Sequence, residues 1–131
     1  MYLIDSDVII YSLKGHAATV ERMLQHRTDP KSISVITYGE LVYGARKSQR
    51  VEKNLATVHH LAELFPLLPV TRSIMETFAN LEAPLEKGGT RLDDMDLLIA
   101  ATALVHNLTL VTNNERHFQR IEGLAIENWT S

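Results

Sequence analysis

Apolar residues arrive in short bursts along this chain, and the length of each burst separates strand from helix. Tyr2-Leu3-Ile4 is a brief apolar run closed by Asp5, and Val8 to Leu13 continues apolar at helical length, which predicts strand, turn, helix. A second amphipathic segment extends from His16 to His26, Thr28-Asp29-Pro30 reads as a turn, and Ile33 to Ile36 as a second strand. Thr37-Tyr38-Gly39-Glu40 then opens a helix. From Arg50 onward Val51, Leu55, Val58, Ala62 and Phe65 recur at spacings of four and three, the stripe of a helix lying on a core or a partner.

Phe65 to Val70 holds two prolines and predicts an edge strand or an extended connection, followed by a helix from Thr71 to about Glu82 that Pro84 and Gly88-Gly89 end. Asp96 to His106 is Ala-rich and apolar over most of its surface, hence a buried helix, and Leu108 to Thr112 a buried strand. Asn113-Asn114 turn the chain, a short helical piece reaches Ile121, and Leu124 to Ile126 form a last strand. Strand and helix alternate, so a mainly parallel sheet with right-handed crossovers is expected, covered by helices on both faces as a three-layer α/β/α sandwich. Residues 1–131 suit one domain, at a length where a single core is self-sufficient.

Composition narrows the chemistry. Hydrophobic residues at 45% and charged residues at 22% are the balance of an ordinary globular chain, which sets disorder aside. No apolar run reaches the ~18 residues that cross a bilayer, and Met1 to Asp5 lacks a signal peptide's basic region, so a cytoplasmic location is expected. The absence of cysteine excludes disulfides and thiolate zinc sites, leaving oxygen and imidazole as metal ligands. A net charge of -3 gives no general attraction to nucleic acid, so any RNA contact must use a local patch.

In a parallel sheet, strand C-termini and helix N-termini share one rim, where ligands bind. Asp5 ends the first strand, Glu40 follows the second, Asp96 lies in the first turn of the Ala-rich helix, and Asn114-Glu115 follow the Leu108 to Thr112 strand. All are expected on that rim, with helix N-termini favouring ionised Glu40 and Asp96. Carboxylates ~4 Å apart repel by roughly 4 kcal/mol per pair at an effective dielectric of 20, and a hard divalent cation is the simplest remedy. Magnesium or manganese would take these oxygen ligands and serve phosphodiester hydrolysis.

Each acid also has a plain structural role. Thr37-x-x-Glu40 fits a capping box, Asp93-x-x-Asp96 an N-cap with its third-position acid, and Asp7 a cap of the first helix. Asp5 is the exception, because an acid closing an apolar strand serves neither packing nor pairing.

Leu3-Ile4-Asp5-Ser6-Asp7 resembles the opening of PIN-domain proteins. Thr37-Tyr38-Gly39-Glu40-Leu41 with Gly44, and Met95-Asp96-Leu97-Leu98-Ile99-Ala100-Ala101, resemble the segments carrying that family's second and third acids. Leu110-Val111-Thr112-Asn113-Asn114, Phe118, Ile121-Glu122-Gly123-Leu124 and Glu127-Asn128-Trp129 are similar to the C-terminal part of its VapC-type toxins, so the resemblance spans essentially the whole chain. It implies a Mg²⁺-dependent endoribonuclease, with Mn²⁺ as a substitute, cutting structured RNA such as transfer RNA. It also implies a cognate antitoxin whose C-terminal segment lies in a groove, and a homodimer. Asp5, Glu40 and Asp96 carry over as metal-binding acids. Asn114 joins them as a catalytic candidate, with Ser6, Asp7, Thr112 and Glu115 in support. The chain departs from the family pattern where many members carry a fourth Asp: those positions are Asn114 and His117.

For phosphate contacts, Arg116 and Arg120 are the nearest candidates, followed by the cluster of Arg46, Lys47, Arg50 and Lys53, and by Lys87 and Arg91 beside a Gly-rich loop. Adjacent His59-His60 cannot share a helix face, and no His-Glu-x-x-His occurs, which disfavours a zinc hydrolase. Two other readings compete. Asp5-Ser6-Asp7-Val8 also fits a haloacid-dehalogenase-like phosphatase with Asp5 as nucleophile, and an inactive PIN-like domain would only bind a partner.

Overall fold

The computed structural model describes residues 1–89 and 92–131; Arg91, a candidate phosphate contact, lies outside them. Five strands, β1 (Tyr2–Ile4), β2 (Lys31–Ser34), β3 (Leu67–Leu68), β4 (Thr109–Val111) and β5 (Ile126–Glu127), form one sheet in the order β3-β2-β1-β4-β5. Every pairing is parallel, with Tyr2 opposite Lys31 on one side and Thr109 on the other. Between them run α1 (Ser6–Leu13), α2 (Ala17–Gln25), α3 (Val35–Arg46), α4 (Val51–Leu64), α5 (Arg72–Lys87), α6 (Asp94–His106) and α7 (Glu115–Phe118).

Successive side chains of a strand point to opposite faces, and here that alternation builds two cores. Leu3 and Leu110 enter the core formed with Leu97, Ile99, Ala100, Ala103 and Phe118, under α5, α6 and α7. Their neighbours Ile4 and Val111 enter the other, with Val8, Ile9, Ile33, Leu41, Ala45 and Val58, under α1, α3 and α4. The result is the expected three-layer α/β/α sandwich. The two edge strands are each two residues long, which limits the unpaired backbone the sheet exposes.

Three sequence expectations shift. The second strand ends at Ser34, whose hydroxyl caps α3 by accepting from Ile36 N at 3.0 Å. Thr37 is therefore inside the helix, its buried Oγ1 without a hydrogen-bond partner, and the capping-box reading of Thr37-x-x-Glu40 falls. Helix α5 runs through Pro84 to Lys87: the ring costs one N–H bond, but Leu81 and Leu85 on either side pack against the core and hold the helical course. In α1 the cap is Asp5 rather than Asp7.

Candidate active site

The C-terminal ends of β1, β2 and β4 lie side by side, and the loops that leave them carry the acids. Asp5 is 4% exposed, an unusual position for a carboxylate, and both its oxygens are engaged. Oδ1 accepts from Ser6 N at 2.8 Å and Oδ2 from Thr112 Oγ1 at 2.9 Å. Thr112 in turn accepts from Asn114 N at 3.1 Å, so the turn after β4 is strung onto Asp5 through one hydroxyl. Asp7 adds a second tie, accepting from Val8 N at 2.7 Å and from Asn113 N at 3.1 Å. Ser6 Oγ donates to Glu40 Oε1 at 3.3 Å, joining α1 to α3.

The carboxyls hold their protons more tightly than free ones do. Burial raises Asp5, against the opposing pull of the Thr112 and Ser6 hydrogen bonds. Burial and then the charges of Asp5 and Asp96 raise Glu40 to about 7, and burial with the Asp5 charge raises Asp7 to about 6. Asp96 is raised by burial and by Asp5, with His117 opposing. Helix N-termini are expected to favour the ionised forms of Glu40 and Asp96, and the net direction at both is the opposite. Glu40 is in the second turn of α3, beyond the reach of its N-terminus, and at Asp96 desolvation and a like charge outweigh the dipole.

This mutual repulsion is what a cation relieves, and an all-oxygen acid set suits a hard divalent ion. Among the described residues no three Asp, Glu or His side chains close into a ready-made cage. An ion held by one or two carboxylates, with water and phosphate oxygens completing the shell, requires none.

The remaining candidates divide. Thr112, Ser6 and Asp7 are in contact with the acids, while Asn114 is tied in through its backbone N–H and its side chain is exposed. Glu115 turns to Asn128, which donates to Oε2 at 3.1 Å, and so braces the C-terminal segment rather than the acids. Arg116 and Arg120 are exposed on and just after α7. Arg46 lies six residues beyond Glu40, about 9 Å further along α3 and away from the rim. Lys47 Nζ stands over the Tyr43 ring at 4.8 Å. Two neighbours take contacts that the sequence reading did not assign: His117, noted only as a departure from the family's fourth Asp, has Nε2 3.3 Å from Asp96 Oδ2, and Asn113 donates its N–H to Asp7.

The PIN domain family profile matches residues 2–124. Ribonuclease VapC2 of Haemophilus influenzae is 33% identical over 128 residues, 98% of this chain and 97% of that protein. The tRNA(fMet)-specific endonuclease VapC of Shigella flexneri is 31% identical over 129 residues, 98% of each chain. Among solved structures, the crystal structure of DNA-bound VapBC from Salmonella typhimurium superposes with a TM-score of 0.89 at 34% identity, over 98% of this chain and 97% of that one. The dehalogenase-like alternative is thereby set aside: sequence, sheet order and full-length superposition all say that this chain belongs to the PIN-domain family, in its VapC branch.

Proposed function

We propose that this chain is a metal-dependent endoribonuclease, the toxin of a toxin–antitoxin pair, that hydrolyses phosphodiester bonds in structured RNA such as transfer RNA. The observation that carries it is the meeting of Asp5, Glu40 and Asp96 on one rim, all three raised by burial, with the Asp5 charge raising Glu40 and Asp96 further. The relatives named as ribonucleases and as a tRNA(fMet)-specific endonuclease support the same reaction and substrate class.

Asp5, Asp96 and Glu40 are the residues that would hold the cation, Mg²⁺ with Mn²⁺ able to replace it. Bound there, a divalent ion supplies positive charge against the scissile phosphate and makes the attacking water more acidic. Thr112 and Ser6 N fix both oxygens of Asp5, and the Asp7 tie to Asn113 keeps the post-β4 turn in register with α1. Glu40, at the lip of the site and held by Ser6 Oγ at 3.3 Å, would add its carboxylate to the cation's surroundings. Arg116 and Arg120, exposed on and just after α7, would serve as phosphate contacts.

Similar solved structures are VapBC complexes, which supports control by an antitoxin, and assembly as a homodimer is part of the same reading. A groove of about 370 Å³ lined by Ile10, Leu13, Leu41, Ala45 and Val58 ends at Glu40, where an inserted segment would cover the acids. No helix is long and apolar enough to cross a membrane among the described residues, in keeping with work on cytoplasmic RNA.

Incubating total transfer RNA with the wild type and with Asp5→Asn, in Mg²⁺ and in EDTA, tests the reading. Discrete fragments made only by the wild type with metal support it. Intact RNA throughout, across metals and RNA classes, rejects it in favour of a PIN-like domain that only binds a partner.

A further inference from the structure

His117 is the one imidazole at the rim, and its placement is unusual. Phe118, fully buried beside it, anchors the short helix α7 in the core, so the His117 ring is held against the first turn of α6. The ring is 39% exposed, yet Nε2 itself is out of contact with solvent and has no hydrogen-bond partner. Its nearest acid oxygen, Asp96 Oδ2, is 3.3 Å away. At that separation a hydrogen bond fails only on direction: the N–H of a protonated ring would not point at the oxygen. A buried imidazole nitrogen in this state is free to take a ligand's role, and imidazole nitrogen is a common metal ligand.

The distance itself fits that role. Two ligand atoms bonded at about 2.1 Å to one ion, at tetrahedral or octahedral angles, lie roughly 3.0–3.4 Å apart. We propose that His117 Nε2 is a nitrogen ligand of the metal site, sharing the cation with Asp96 Oδ2, and that this tilts the site from Mg²⁺ toward nitrogen-tolerant divalent ions such as Mn²⁺ and Co²⁺. The inference rests on the reading that the rim binds a divalent cation, and assigns to it a ligand of a different chemical class. Neutral imidazole binds borderline transition ions well and Mg²⁺ poorly, so one nitrogen in an oxygen site sorts metals without changing its position. His117 would join Asp96 on the ion beside Asp5, whose charge reaches Asp96.

The test reads ligation rather than turnover. Mn²⁺ is added to the wild type, His117→Gln and Asp96→Asn, and nitrogen coupling to the metal is measured by electron spin-echo modulation, with Mn²⁺ and Mg²⁺ affinities from calorimetry. Expected is a ¹⁴N signal in the wild type that His117→Gln abolishes, with the Mn²⁺-to-Mg²⁺ affinity ratio falling about tenfold while Mg²⁺ binding persists. Mn²⁺ binding that depends on Asp96 but shows no nitrogen coupling overturns this proposal and leaves the metal-nuclease reading standing. Divalent binding indifferent to Asp96→Asn overturns both. The wild-type spectrum needs no variant, so a poorly folding His117→Gln leaves the question answerable.

Discussion

Thr112 Oγ1 donates to Asp5 Oδ2 at 2.9 Å, a buried hydrogen bond between residues 107 positions apart. Thr112 Oγ1 also accepts from Asn114 N, so one hydroxyl gives its single proton to Asp5 and a lone pair to the turn after β4. Thr112→Val keeps the shape and removes the donor. Metal affinity is expected to fall about 10–100-fold, the usual effect of removing an orienting partner, and stability by about 1–3 kcal/mol. Thr112→Ser should restore both. Calorimetric titration and urea unfolding of the three proteins check this.

The acid cluster makes the metal-free protein less stable at neutral pH than in mild acid. A carboxyl whose folded pKa is raised binds protons more tightly folded than unfolded, so its penalty is absent below its ordinary value and complete above the raised one. For Asp7 and Glu40 the windows run from 3.8 to about 6 and from 4.5 to about 7. In EDTA, Tm is therefore expected to fall as pH rises from about 4 to about 7, and Mg²⁺ should flatten that slope. Asp5→Asn should raise the metal-free Tm at neutral pH while removing RNA cleavage. A metal-free Tm that climbs over this range would count against the electrostatic account.

Trp129 is completely buried, stacked on His26 at 4.5 Å and meeting Tyr2 edge-on at 5.0 Å, with its Nε1 donating to Glu127 Oε1 at 3.0 Å. It clamps the segment after β5 against the opening of β1. Trp129→Ala should cost about 3–5 kcal/mol, a large part of a small domain's stability, whereas Trp129→Phe should keep most of the stacking. The urea midpoints rank the two.

Helix α6 stops at Asn107, which sits in the left-handed region at φ 54 and ψ 47. Asn tolerates that conformation and a β-carbon without a local hydrogen bond does not, so Asn107→Ala should cost about 1 kcal/mol and Asn107→Gly little or nothing. Thermal unfolding of both variants decides it, with no change expected in metal binding.

Much of this was legible in the residues. Leu3-Ile4 and Leu110-Val111 read as short apolar strands, and the alternation of strand with helix placed Asp5, Glu40 and Asp96 on one rim before any coordinates. What escaped were features set by three-dimensional contact. Ser34 and Thr37 are equally good helix caps in sequence, and only the sheet register, which ends β2 at Ser34, chooses between them. Pro84 reads as a terminator, but the packing of Leu81 and Leu85 overrides it. His117 looked like a missing acid, because the pairing of its Nε2 with Asp96 joins α7 to α6 and no periodicity records that.

The sheet order has a consequence for the chain during its own synthesis. β1 is made among the first residues yet occupies the middle of the sheet, between β2 and the late strand β4. At ~5–20 residues per second, the 107 positions from Asp5 to Thr112 take roughly 5–20 s to translate. Throughout that interval Asp5 has neither its hydroxyl partner nor a neighbouring strand on that side. The rim around Asp5 is thus completed only when Thr112 has been made, so its hydrogen-bonded geometry is a property of the nearly finished chain and not of its N-terminal half.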